Sequence, residues 1–238
     1  MLSIDAKDRL ILALDVPTMD TAERLLDSVE GAISFVKIGL ELYTAVGPGI
    51  IRRAIERGHR VFLDLKFLDI EETVRRATAQ VASLGVHFLT VHANRKALKA
   101  AIEARRESQL KLLAVTVLTN FDSGDLRDMG VQWSVADLVA ARAKLAAEVG
   151  CDGVVASGAE PQAIRNKVGR ALLIVTPGIR PQGIGTDEHA RSATPEQAIK
   201  AGADYLVVGR PIRDAANPRE AALAIAAEMQ SAFDAREE

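Results

Sequence analysis

The stretch VFLDLKFLDIEETVRRATAQVASLGVHFLTVH, residues 61–92, decides the fold. It opens on an apolar run (VFLDLK, 61–66), passes through an amphipathic segment (EETVRRATAQVASLG) and closes on a second apolar run (HFLTVH, 87–92). Apolar runs of roughly four to eight residues bounded by turns read as strands, and apolar residues spaced three and four apart read as a helix. Strand, helix, strand predicts a right-handed βαβ unit with its two strands parallel.

The same alternation recurs on both sides. LILALD (10–15), FVKIGL (35–40), LLAVTVL (112–118), GVVAS (153–157), LLIVTPG (172–178) and YLVVG (205–209) bring the strand candidates to eight. Helical segments such as MDTAERLLDSVE and SVADLVAARAKLAAEVG lie between most of them. The strands are almost continuously apolar, as strands covered on both faces are. Eight units in 238 residues predict an α/β fold, a single (β/α)8 TIM barrel over residues 1–238. A doubly wound open sheet is the alternative architecture. No linker or composition shift divides the chain.

Composition narrows the function. Apolar residues make up 48% of the chain, enough for a large core, and the formal net charge of −2 is spread over interspersed signs. That pattern offers no surface for a polyanion, so nucleic acid is not an expected partner. The single cysteine, Cys151, rules out an internal disulfide and argues against a cysteine-rich metal site; a reducing, cytoplasmic location fits. The first residues, MLSIDAKDRLILALDVP, lack the form of a leader, and no stretch reaches the roughly 18 apolar residues of a membrane span.

Several charges fall where strands end. Side chains two apart on a strand share a face, so Asp64 and Lys66 point the same way as Phe62. Asp15 closes the first strand, Lys37 sits in the second between Val36 and Ile38, and His92 closes the fourth. Asp69, followed by Ile70, Glu71 and Glu72, reads as a helix N-cap with an acid at N3, a capping box. Lys37 and Asp64 could form a structural ion pair, but a buried pair adds little net stability. Two acids and two lysines at one barrel mouth therefore point to chemistry. A lone strand-end histidine, His92, is expected to support rather than react.

Two long connections, 119–134 and 180–195, follow strands and so belong to the C-terminal face, where the active sites of barrels lie. Long loops in compact domains serve as lids or binding loops. TPGIR (176–180) follows the seventh strand and VVGRPI (207–212) the eighth, the usual place for a phosphate site. Glycine admits an anion to the backbone N–H groups and arginine adds a two-pronged donor; Gly209 and Arg210 form the strongest such pair.

These segments together resemble the orotidine 5′-phosphate decarboxylase family over essentially the whole chain. The resemblance rests on LALDVP (12–17), FVKIGLELYTAVGP (35–48), DLKFLDIEETV (64–74), VTVLTNF (115–121), VTPGIRP (175–181), RSATPEQAI (191–199) and YLVVGRPI (205–212), all in family order. It implies cofactor-free, metal-free conversion of orotidine 5′-phosphate to UMP by a homodimer. Lys66 would protonate C6 of the pyrimidine and Asp64 would sit beside the substrate carboxylate. Asp15 and Lys37 would bind the ribose hydroxyls, with Lys37 also paired to Asp64. Asp69, Ile70 and Thr73 belong to the segment that would reach the neighbouring subunit's site. Thr119 would touch the pyrimidine, Arg180 and its loop would close over the ligand, and Gly209 and Arg210 would hold the 5′-phosphate. The family usually carries a glutamine nine residues past that arginine; this chain has His189, which can still donate a hydrogen bond.

Two other readings compete. Related barrels use a similar D-x-K-x-x-D strand for metal-dependent decarboxylation or aldol chemistry on sugar phosphates, but carry an acid near the end of the second strand, where this chain has Lys37. A barrel that only binds a nucleotide phosphate would need no proton donor, and the set Lys37, Asp64, Lys66 and Asp69 weighs against it.

Overall fold

A computed structural model describes residues 5–181 and 193–237. All eight expected strands form: β1 (Leu10–Ala13), β2 (Phe35–Gly39), β3 (Arg60–Phe67), β4 (Phe88–His92), β5 (Lys111–Val115), β6 (Gly153–Val155), β7 (Leu173–Thr176) and β8 (Tyr205–Val208). Each pairs in parallel with the next, and β1 pairs with β8, so the sheet closes into a barrel. That closure replaces the open-sheet alternative.

The helices among the described residues run in chain order: α1 (Met19–Ser28), α2 (Leu40–Val46), α3 (Gly49–Glu56), α4 (Glu71–Ser83), α5 (Arg95–Arg105), α6 (Ser123–Asp128), α7 (Val135–Val149), α8 (Pro161–Val168), α9 (Pro195–Lys200), α10 (Arg210–Arg213) and α11 (Pro218–Glu237). Polar caps set many of the starts. Thr18, Asp122 and Thr194 close capping boxes on α1, α6 and α9, and Asn94 and Ser134 accept first-turn N–H groups of α5 and α7. The connection 119–134 is thus not irregular throughout, since α6 lies within it.

The expected cap at Asp69 does not form. Helix α4 starts one residue later, with Ile70 at the N-cap and no side-chain cap bond. The Asp69 carboxylate instead accepts the adjacent Ile70 N–H at 2.6 Å, which turns it away from the N3 amide that a box requires.

Alternation along the strands sorts the core into two clusters. The larger lies between strands and helices and includes Leu12, Val36, Leu63, Leu89 and Ile174. The smaller fills the barrel interior with Ile11, Phe35, Phe62, Phe88, Leu113, Val175, Tyr205 and Val207. Its aromatic rings interlock: Phe35 and Phe88 lie 5.0 Å apart, Phe88 and Tyr205 5.1 Å. Arg9 stacks over Tyr205 and Arg60 over Phe35, at 4.6 and 4.8 Å from the ring centroids. The barrel is therefore plugged by its aromatic layer, capped below by Arg9 and Arg60, and its inward positions turn polar again near the C-terminal ends of the strands. Among the described residues, no helix is long and apolar enough to cross a membrane.

Candidate active site

The inward-facing positions of the first three strands climb from apolar to charged. On β1 the series is Ile11 and Ala13, then Asp15 beyond the strand; on β2 it is Phe35, Lys37, Gly39; on β3 it is Phe62, then Asp64 and Lys66. Register sets them beside one another: Ala13 opposes Lys37, Lys37 opposes Phe62, and Gly39 opposes Asp64. A cleft of about 550 Å³ opens above them and is lined by Asp15, Lys37, Asp64, Lys66, Thr119, Arg180, Gly209 and Arg210.

The charges form one chain of contacts. Lys37 Nζ donates to Asp15 Oδ1 at 2.9 Å and lies 3.8 Å from Asp64 Oδ2. Lys66 Nζ donates to the same Asp64 oxygen at 2.9 Å. Thr90, on β4, donates its hydroxyl to Asp64 Oδ1 at 2.9 Å. Burial alone would raise the Asp64 carboxyl; the charges of Lys37 and Lys66, with hydrogen bonds from Lys66 and Thr90, outweigh it and hold the group below the usual carboxylate range. Signs alternate from Asp15 through Lys37 and Asp64 to Lys66, so each inner charge is flanked by its opposite.

Glycine at position 39 makes that chain possible. A Cβ there would stand 3.1 Å from both Asp15 Oδ1 and Lys37 Nζ, tighter than ordinary contact. Lys66 is unusual in another way. Its φ is +53°, a left-handed conformation that costs an L-residue roughly 1–3 kcal/mol. The β3–β4 register shifts between Leu63 and Phe67, and the Lys66 N–H leaves the ladder to reach Thr90 Oγ1 at 2.9 Å.

The other wall is the anion corner. Gly178 and Arg180 follow β7; Gly209 and Arg210 follow β8. A Cβ on Gly209 would meet only Ala13 Cβ, at an ordinary 3.5 Å, so packing does not demand glycine there. Without a Cβ, Gly209 leaves its backbone open where it lines the cleft. Arg180 is buried and donates to the Ile179 carbonyl, and an Ile179–Ala193 bridge joins the described ends of its loop.

Three expected site residues lie outside the cleft: Asp69, Ile70 and Thr73 are exposed on the rim. His189 lies outside the described residues. His92 lines a neighbouring chamber of about 270 Å³ with Leu68, Phe121, Met129 and Arg142; burial, then the charges of Arg142 and Lys66, keep it below the usual imidazole range. Sequence reading missed Thr90 and Arg213. Thr90 sits two residues before His92 on the same strand face, a spacing that gives its face but not its task. Arg213 lies one turn after Arg210, lines the cleft and donates to the Asp15 carbonyl at 2.7 Å.

A closed (β/α)8 barrel with a lysine–aspartate array at one side of its mouth and a glycine–arginine corner at the other falls in the class of barrels equipped for phosphorylated ligands. The sequence profile described as orotidine 5′-phosphate decarboxylase / HUMPS family matches residues 8–225, and the chain belongs to that family. Orotidine 5′-phosphate decarboxylase of Nitrobacter winogradskyi is 49% identical over 228 residues, covering 96% of this chain and 95% of that protein. The enzyme of that name from Rhodopseudomonas palustris is 46% identical over 226 residues, covering 95% and 96%. The crystal structure of orotidine 5′-phosphate decarboxylase from Lactobacillus acidophilus superposes with a TM-score of 0.83 at 35% identity, covering 93% of this chain and 99% of that one.

Proposed function

We propose that this chain is an enzyme that decarboxylates orotidine 5′-phosphate to UMP, in pyrimidine biosynthesis, without a cofactor. The observation that carries the reading is the unbroken Asp15–Lys37–Asp64–Lys66 array facing the glycine–arginine corner across one cleft. Gly209, Arg210 and Arg180 would hold the 5′-phosphate, and Asp15 and Lys37 the ribose hydroxyls. Thr119 would touch the pyrimidine and Asp64 would face the substrate carboxylate. The C6–carboxylate bond breaks, CO2 leaves with its carbon, and the electron pair stays on C6. Lys66 then gives C6 a proton and regains one from water.

The ring offers that electron pair no good sink, so a fixed ammonium is well suited to stabilise it. Two unit charges about 4 Å apart interact by roughly 4 kcal/mol at an effective dielectric near 20. The largest enzymatic accelerations need on the order of 20 kcal/mol. The rest must come from contacts to phosphate and ribose that position the ring. A metal-dependent reaction fits this site less well, because Lys37 and Lys66 stand against the carboxylates and a divalent cation would have to displace an ammonium. The test is an absorbance assay with EDTA present: steady conversion of orotidine 5′-phosphate supports the reading, and no turnover, or turnover abolished by the chelator, overturns it.

The functional unit in this proposal is a homodimer with shared sites, in the cytoplasm, where a free and buried Cys151 is at home. Support comes from the rim. Leu68, Ile70 and Met129 are 58%, 73% and 60% exposed, more apolar surface than a lone rim needs, and Asp69 and Thr73 project beside them. Mixing Lys66→Ala with Asp69→Ala chains makes dimers with one site free of both changes, which should restore up to about a quarter of wild-type activity. No recovery after proven subunit exchange would remove the shared site.

A further inference from the structure

Thr90 joins the two central charges of the cleft. Its side chain is fully buried and inward-facing, one step above Phe88 on β4, while Leu89 and Val91 face the helices. Its hydroxyl does two jobs at once. The oxygen accepts the Lys66 N–H at 2.9 Å, and the proton goes to Asp64 Oδ1 at 2.9 Å. Asp64 Oδ2 then receives the Lys66 ammonium at 2.9 Å, which closes a ring of contacts from the Lys66 backbone back to the Lys66 side chain. The hydroxyl stands where the β3–β4 ladder breaks and at the residue whose φ is +53°.

We propose that Thr90 is a positioning residue for Lys66 and Asp64: its hydroxyl holds the Lys66 main chain in the left-handed conformation and turns the Asp64 carboxylate so that its second oxygen receives the ammonium. Without the hydroxyl, the Lys66 N–H has neither ladder nor side-chain acceptor, and Asp64 loses the donor that fixes its plane. The ammonium then samples a wider volume, and a proton donor displaced by an ångström loses much of its rate. Serine can accept and donate in the same way; valine and alanine can do neither. The groups facing Asp64 are Asp15, after β1, Lys37 from β2, Lys66 on its own strand, and Thr90 and His92 from β4.

The kinetic half of this inference rests on the proposed reaction; the geometric half does not. The experiment therefore has two readouts on the full chain carrying Thr90→Val, Thr90→Ser or Thr90→Ala: kcat and KM for orotidine 5′-phosphate, and a carbon-13 titration of the Asp64 carboxyl in the ligand-free protein. Removing a hydrogen bond to a charged group should lower kcat of Thr90→Val roughly tenfold to a hundredfold, with KM within about threefold of wild type. The Asp64 titration should move up in pH, and Thr90→Ser should restore both readouts. An unchanged kcat or an unmoved Asp64 titration in Thr90→Val overturns the proposal, as does a serine variant impaired as much as valine, which would make the methyl group the important part. If the valine variant does not fold, the serine–alanine pair replaces it, because both lack the methyl and differ only in the hydroxyl. A wild type with no turnover sinks the proposed reaction instead, and the titration alone then decides the role of Thr90.

Discussion

Ion pairs occupy both ends of this barrel, and they are built on opposite plans. At the lower end, Asp152 and Asp204 each stand just before a strand, β6 and β8. Each accepts the N–H of the second residue of the preceding strand, Leu112 or Ile174, at 2.8 Å. Each also meets an arginine from a helix, Arg105 or Arg165. Arg105 donates as well to the Leu110 carbonyl, and Arg165 to the carbonyls of Gly169, Leu172 and Gly202. These guanidinium groups are spent on backbone and serve as staples. At the upper end, Lys37 and Lys66 meet carboxylates and a cleft, with no backbone carbonyl among their hydrogen bonds to the described residues. Burial alone does not mark a functional charge; what matters is whether its remaining valences point into protein or into open space.

The sharpest break of that comparison is Lys66→Ala. In the proposed reaction, loss of this fixed charge should lower kcat/KM by about three orders of magnitude, while thermal unfolding stays near wild type because Lys37 still neutralises Asp64. Turnover equal to wild type would remove Lys66 from the chemistry. Arg165→Ala should do the reverse. Asp204 keeps Arg236 at 4.0 Å but loses its closer partner, and the carbonyls of Gly169, Leu172 and Gly202 lose their shared donor, which together costs about 3 kcal/mol, or roughly 10 °C in a chain of this size, with kcat per folded molecule unchanged. An activity loss larger than the loss of folded protein would blur the distinction between the two ends.

Smaller effects sharpen it. Gly39→Ala pushes on both members of the Asp15–Lys37 pair, so kcat/KM should fall about tenfold, on the order of one disturbed charged hydrogen bond, with little change in a melting curve. The gentlest probe is pH. His59 and His87 sit just before β3 and β4, and burial, with Arg57 or Arg60 nearby, holds both below the usual imidazole range. Their folded-state affinity for protons is depressed, so the unfolded chain binds more protons below about pH 6.5 and stability falls with acid in that window. Asp64 is depressed as a carboxylate, so its contribution is present above about pH 4 and is lost only as pH drops through its folded value. Between pH 7 and 5.5, His59→Gln/His87→Gln should flatten the melting temperature against pH and leave the pH profile of kcat alone. A changed kcat profile would mean that the lower end reaches the chemistry.

Much of the upper end was legible because strand periodicity is short-range. Eight apolar runs gave the barrel, and a two-residue spacing put Asp64 and Lys66 on one face with Phe62. Thr90 was not legible, because threonine is an ordinary strand residue and its task depends on a register shift that no local pattern encodes. The Asp69 cap failed for a related reason: Asp69 engages the neighbouring amide, so the box pattern was present in the letters and absent in the turn. The staples were also hidden. Arg105 and Asp152 stand 47 positions apart and Arg165 and Asp204 39, with strands and helices between, so only the closed barrel brings them together.

The interlocked rings of Phe35, Phe62, Phe88 and Tyr205 give the cleft a packed aromatic floor. The described cleft lies above that floor, so in the proposed reaction substrate, carbon dioxide and protons share the mouth above Lys66. With Lys66 as donor, its spent proton is replaced most directly through the opening that the nucleotide would occupy. In the proposed reaction, recharging the ammonium then belongs to the interval after product leaves.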